Sequence, residues 1–251
     1  MDQNLINMML TPPEILESKI VLCIQPHPDD NEIGMGATIK VLADKGCVIH
    51  YLTITDGRLG TQDPKMTPQK LVEIRKKELQ EAGSLLGCSR FFNFNYLDGS
   101  LNNIPELAKK IAILIRENQY DVIFTPDPFN AYEGHNDHIV TGKAACQAFI
   151  SSNLTDYPEN TTTKPWQAKA IGFYFTSKPN TIIDIKNNFE LKFKAISEHK
   201  SQMDANTLAL FRTYFENKST ELGKKIGCKK AEDFKVLSPL HLHCFPEADA
   251  I

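Results

Sequence analysis

The sequence predicts an α/β fold: a mostly parallel sheet with helices on both faces, in a single domain spanning residues 1–251 whose C-terminal part is more helical. Three observations predict it. Short apolar runs rich in β-branched residues alternate with segments of helical spacing. Gly46 and Gly87 close the first two helical segments as C-terminal caps. No internal repeat and no low-complexity tract of linker length divides the chain.

The first strand is expected over residues 19–25, where the apolar run stops at Pro26-His27-Pro28 and the two prolines forbid further ladder pairing. A helix over 32–45 follows, spaced by Ile33, Ala37, Val41 and Leu42. Residues 48–55 form the next strand, then a polar loop over 56–68 and a helix over 69–86. The alternation continues with a strand over 91–96, a helix over 104–117, a strand over 121–125 and a helix over 137–149. Such alternation implies parallel strands covered on both sides. Beyond a threonine-rich surface loop (151–164), short strands are expected at 170–175 and 181–185, and helices at 191–202 and 207–222.

Composition narrows the function classes. With 41% apolar and 24% charged residues, the 251-residue chain can bury a large core. A net charge of −3 with scattered lysines disfavours nucleic acid as a partner. The opening residues carry no basic start followed by an apolar stretch, so an unexported, cytoplasmic protein without a membrane span is expected. Six dispersed cysteines (Cys23, Cys47, Cys88, Cys146, Cys228 and Cys244) include no CxxC pair and read as reduced, structural thiols.

In an open parallel sheet, chemistry sits where strands hand over to loops at their carboxyl ends. Two such handovers carry metal-ligand residue types: His27-Pro28-Asp29-Asp30 after the first strand, and Gly134-His135-Asn136-Asp137-His138 after the strand at 121–125. A hydrolytic zinc site needs three nitrogen or oxygen ligands and one open position. His27, Asp30 and His138 are the expected ligands, for one Zn2+ per chain or another divalent ion such as Fe2+. Asp29 is the expected general base, His135 an imidazolium that stabilises the oxyanion or protonates the departing amine, and Asp137 a group that orients and polarises a histidine from behind. The simpler reading of HPDD is a turn with a capping Asp, and of HNDH a helix start with solvated histidines. Both motifs at strand ends favour the metal site.

At these residues the sequence resembles the LmbE-like deacetylases, also called the PIG-L family, whose opening motif HPDD-x-E-x-G-x-G is met fully by His27 to Gly36. The family's later HPDH motif is changed at Asn136, where Pro is usual. The likeness extends through Thr55-Asp56-Gly57, Gly60-Thr61, Arg75-x-x-Glu78, Asp98-Gly99, His199-x-Ser201-Gln202 and Ala231-Glu232-x-Phe234. It implies a Rossmann-like fold, usually a zinc ion, and hydrolysis of the N-acetyl group of an N-acetylglucosamine-containing small molecule, with Arg75 and Asp98 as sugar contacts. It also implies a homo-oligomer, a trimer or hexamer. Arg58 stands where members resembling the bacillithiol-pathway enzymes often have Glu, and reads either as a solvated loop charge or as a cation for an anionic aglycone.

Other readings remain open at this stage. The resemblance aside, zinc amidase activity on a non-sugar amide or a non-catalytic nucleotide- or sugar-binding module would use the same fold. A dinucleotide fingerprint lacks its third glycine, because Ile39 stands there. Gly34 and Gly36 instead let the first helix pack closely. Arg75 can alternatively pair with Glu78 or Glu81 on a helix surface. Glu32 holds a ligand or favours the helix N-terminus, His50 and His199 read as structural, and His241 and His243 alternate on an expected extended segment.

Overall fold

The computed structural model describes residues 9–243 and 245–251, so the expectation for Cys244 lies outside the described residues. Its seven strands are β1 (Ile20–Gln25), β2 (Val48–Thr55), β3 (Cys88–Tyr96), β4 (Val122–Pro126), β5 (Ala170–Tyr174), β6 (Thr181–Asp184) and β7 (Ala231–Leu237). They form one sheet in the order β3-β2-β1-β4-β5-β7-β6. The first five pair in parallel, while β7 runs antiparallel to both β5 and β6. Among the described residues six α-helices accompany them: α1 (Asp30–Asp44), α2 (Pro68–Leu86), α3 (Ile104–Asn118), α4 (Asn136–Ser151), α5 (Phe189–Glu198) and α6 (Ala205–Ile226). No helix among the described residues is long and apolar enough to cross a membrane.

Strand alternation divides the interior. Leu22, Ile24, Leu52, Ile54, Ile123 and Ile171 point to one face, where Leu107, Ile111 and Ile115 of α3 and Val140, Ala144 and Ala148 of α4 cover them. Their neighbours Val21, Cys23, Ile49, Tyr51, Val122 and Phe124 point to the other face, against Met35, Ile39 and Leu42 of α1 and Leu79, Ala82 and Leu86 of α2. A third cluster joins Ala37 of α1 to Ile185 and to Phe189, Phe193 and Ile196 of α5. Both faces are therefore buried by helices, as the sequence pattern requires.

Local chemistry sets the helix ends. Thr67 caps α2 by accepting the Lys70 N–H at 3.3 Å, Pro68 occupies the first helical position, and Gly87 ends the helix at φ 97°. Asn103 caps α3 through the Glu106 N–H at 3.1 Å. Helix α1 begins at Asp30, two residues earlier than expected, and breaks at Met35 (φ −148°, ψ 19°). Past that break Glu232 of β7 accepts the Thr38 N–H at 2.7 Å through one carboxylate oxygen, and the buried Lys192 Nζ binds the other at 2.6 Å. Gly34 lies just before the break, where a Cβ would collide with the ring of Tyr174.

Two expectations are corrected. Strand β7 has no counterpart in the sequence reading, because Glu232, Asp233 and Lys235 interrupt its apolar pattern; Glu232 is nevertheless buried, its charge met by Lys192. Residues 239–243 form turns and a bend rather than an extended segment. His241 is buried in that turn, its Nδ1 accepting the Ser238 N–H at 3.2 Å and its Nε2 lying 2.5 Å from the Met9 carbonyl. The five described cysteines are free thiols, as expected.

Candidate active site

From β1 the chain runs on to β2 and β3 on one side, whereas β4 leads to β5 on the other, so the direction of winding reverses between β1 and β4. A crevice opens at such a point, outside the carboxyl ends of the strands. The loops that end β1, β2, β3 and β4 meet there.

The turn after β1 is closed by Asp30, whose Oδ2 accepts the His27 N–H at 2.8 Å. Between them Asp29 adopts φ 150°, a conformation L-residues rarely take, at a cost of about 1–3 kcal/mol. This geometry turns the two adjacent carboxylates apart. Asp30 faces two imidazoles, with His27 Nδ1 3.3 Å from Oδ2 and His138 Nε2 3.3 Å from Oδ1. Asp29 faces Arg75, whose Nη2 is 3.2 Å from its Oδ1.

Each imidazole has a second carboxylate at its other nitrogen. His27 Nε2 lies 3.1 Å from Asp98 and 3.5 Å from Asp137, and His138 Nδ1 lies 3.4 Å from Glu133. Asp137 is fully buried and anchored by the Gly99 N–H at 2.7 Å and the Leu101 N–H at 3.3 Å. Asn136, the departure from the family motif, donates through its side-chain amide to the Leu101 carbonyl at 2.6 Å, a bond proline cannot make. Paired carboxylates behind imidazoles are the arrangement that orients histidines on a metal ion.

The donor set fits a divalent cation. One ligand atom each from His27, Asp30 and His138 lies within 4.8 Å of the others, and His27, His135 and Asp137 form an overlapping group. The buried His27 Nε2 and His138 Nδ1, though 3.1 and 3.4 Å from carboxylates, are not aligned with them for a hydrogen bond. Burial opposes charge on His27, yet Asp137, Asp30 and Asp98 drive its pKa up to about 12. Burial likewise works to raise Asp30, but His138 and His27 hold it well below the usual carboxylate range. The cage thus favours positive charge in its centre.

The remaining expected residues line the cleft beside this cluster. Asp29 is pushed up to about 6, chiefly by burial, against the opposing pull of Arg75. His135 is exposed, and burial together with His27 and His138 lowers its pKa; its Nδ1 accepts the Asp137 N–H at 3.3 Å. Its ring thus stands at the cleft with Nδ1 engaged by the backbone. Arg75 is not on a helix surface: it is buried and binds the Gly57 carbonyl at 2.9 Å and the Pro28 carbonyl at 3.0 Å. Asp98 lines the cleft and also abuts His27. Arg58 turns back onto Asp56, through Nε at 2.8 Å and Nη2 at 2.5 Å.

Glu133 escaped the sequence reading, whereas the other pairings each involve a residue already singled out there. Glu133 precedes His138 by five residues and shows no spacing signal of its own. Gln202 binds the Gly60 carbonyl at 2.9 Å, and Ser201 is held by Glu78 at 2.6 and 2.8 Å, tying the segment after α5 to the cleft. His199 and Glu32 form a fully buried pair 3.3 Å apart, with Glu32 in the first turn of α1, where a carboxylate favours the helix N-terminus. His50 shares a 2.8 Å hydrogen bond with Tyr120.

The fold with its His/Asp cluster is that of the PIG-L proteins, and its relatives make this chain an N-deacetylase, an enzyme that hydrolyses an amide bond. The model of the PIG-L family, described as GlcNAc-PI de-N-acetylase, matches residues 22–149, and the chain belongs to that family. It is 34% identical over 236 residues to the diacetylchitobiose deacetylase of Thermococcus kodakarensis, covering 93% of this chain and 88% of that protein. It is 28% identical over 193 residues to a probable N-acetyl-alpha-D-glucosaminyl L-malate deacetylase 2 of Bacillus cereus, covering 74% of this chain and 84% of that protein. Among solved structures, the N,N'-diacetylchitobiose deacetylase of Pyrococcus horikoshii superposes with a TM-score of 0.91 at 36% identity, covering 100% of this chain and 98% of that one.

Proposed function

We propose that this protein is a zinc-dependent hydrolase that removes the N-acetyl group from an N-acetylglucosamine-containing small molecule, releasing acetate and a free amine. The observation that carries the reading is the sharing of Asp30 by His27 and His138, with Asp29 turned away into the adjoining cleft. His27, Asp30 and His138 would hold the ion, which supplies Lewis acidity and makes a water acidic enough to lose a proton near neutral pH.

Asp29 accepts the proton of the attacking water, and its pKa near 6 leaves it ionised yet basic enough to do so at pH 7. As the amide carbonyl becomes tetrahedral, the Nε2–H of His135 donates to its oxyanion. The C–N bond then breaks, the nitrogen takes up the proton held by Asp29, and acetate departs. Asp137 and Asp98 fix the orientation of His27, as Glu133 fixes that of His138. Asp98 also offers its carboxylate to sugar hydroxyls in the cleft. Arg75, committed to Gly57, Pro28 and Asp29, acts by holding the base. The reading takes the chain as one domain and, following the family, the working enzyme as a homo-oligomer.

The test combines elemental analysis with an acetate assay on a panel of N-acetylglucosaminides. Stoichiometric zinc, acetate release, loss of turnover on chelation and an Asp29→Ala variant that keeps zinc but not activity are expected. No acetate from any glycoside with zinc bound would defeat the proposal; loss of zinc from Asp29→Ala would move Asp29 among the ligands.

A further inference from the structure

The cleft beside the His/Asp cluster is walled by the loop after β2 and the turn after β3. Leu59 donates its N–H to Asp98 Oδ2 at 3.1 Å, and its side chain, 61% exposed, stands at the rim. The other oxygen of Asp98 faces His27. One residue earlier Arg58 points back into its own loop. Asp56 takes its Nε and Nη2, accepts its backbone N–H at 3.2 Å, and accepts the Asp98 N–H at 3.3 Å. Asp56 is buried, so the lock is anchored from within the protein. Arg75, the arginine that does line the cleft, is spent on two carbonyls and Asp29.

We infer that the enzyme selects N-acetylglucosaminides whose aglycone is uncharged, and that Asp56 sets this preference by holding Arg58 away from the aglycone. The inference rests on the deacetylase reading above and adds the chemistry of the group attached to the sugar. An acidic aglycone entering the cleft meets the carboxylates of Asp98 and Asp29, whose partners His27 and Arg75 are already engaged, and the guanidinium of Arg58, one residue from the cleft-lining Leu59, is neutralised by Asp56 in a geometry suited to arginine and carboxylate. With every nearby cation already paired, an anion finds no ion pair to offset its loss of hydration. A neutral sugar loses nothing there: Leu59 offers an apolar surface to the C–H face of a pyranose, and the Gly60 carbonyl and Gln202 lie beside it.

The zinc-loaded enzyme is assayed on N,N'-diacetylchitobiose, which is neutral, and on N-acetylglucosaminyl malate and N-acetylglucosamine 1-phosphate, which are anionic. The neutral glycoside is expected to show a kcat/KM at least about tenfold higher than either anion. Raising the salt concentration should lower KM for the anions and leave the neutral KM unchanged, a readout that needs no variant. Asp56→Asn, which keeps the amide-accepting oxygen but releases the guanidinium, should raise kcat/KM on the anions several-fold, and adding Arg58→Gln should abolish that gain. Equal or better turnover of an anionic glycoside by the unaltered enzyme, or an unchanged preference in a folded Asp56→Asn variant, overturns the inference while leaving the deacetylase reading intact. Absence of acetate from all three with zinc bound would instead defeat the deacetylase reading itself.

Discussion

Arg75 Nη2 lies 3.2 Å from Asp29 Oδ1 while the same guanidinium spans the carbonyls of Gly57 and Pro28. One planar fork thus ties the strained residue of the β1 turn to the loop after β2. A lysine carries the charge but cannot reach three acceptors in one plane. Arg75→Lys should therefore lower kcat roughly 100-fold through misplacement of Asp29, with zinc content unchanged. Steady-state kinetics with elemental analysis decides it, and a raised KM at constant kcat would instead make Arg75 a sugar contact.

Glu133 stands behind His138 as Asp98 and Asp137 stand behind His27. Removing such a partner typically weakens metal affinity about 10- to 100-fold. Glu133→Gln should show a loss in that range by competition with a chromophoric chelator, with the circular dichroism spectrum unchanged.

Lys192 and Glu232 form a buried ion pair, and Glu232 also receives the Thr38 N–H beyond the break in α1. Removing one member leaves an uncompensated charge and typically costs about 3–5 kcal/mol. Lys192→Met should lower the urea midpoint accordingly. Lys192→Met combined with Glu232→Gln should recover part of the loss, because the buried charge is gone and an amide oxygen remains for Thr38.

Asp121 accepts the N–H groups of Lys19 and Ile20 at 2.8 and 3.3 Å and pairs with Lys169 at 2.9 Å. Burial tends to raise its pKa, but these partners prevail and hold it below the ordinary carboxylate value. The unfolded chain therefore binds the proton more readily. The stabilisation is full above the unfolded pKa of about 3.9 and disappears as pH falls through the lower folded value. Asp121→Asn should lower stability at neutral pH and make the acid limb of the stability profile shallower than that of the unaltered protein. Urea titrations at a series of acidic pH values measure both.

The parallel half of the sheet and the meeting of the two His/Asp motifs were legible because each is written in contiguous residues: HPDD and HNDH lie directly at strand ends, and the helices show plain apolar spacing. What escaped depends on groups distant in sequence. Strand β7 looks too charged until Lys192 is seen against Glu232. Asp98 resembles a free sugar contact until the turn after β3 brings it to His27. Arg58 left two readings open that only the position of Asp56 relative to its guanidinium separates. Glu133 and the break at Met35 have no local signature, since one acts across a turn and the other is answered from the far end of the chain.

That far end sets a limit on how small the folded unit can be. Residues 22–149, the span by which the family is known, contain His27, Asp30 and His138. They do not contain Glu232, whose carboxylate satisfies an amide in the very helix that Asp30 begins. A fragment ending after α4 would retain all three candidate ligands and still leave that helix with an unanswered donor and a bare flank where β7 had been.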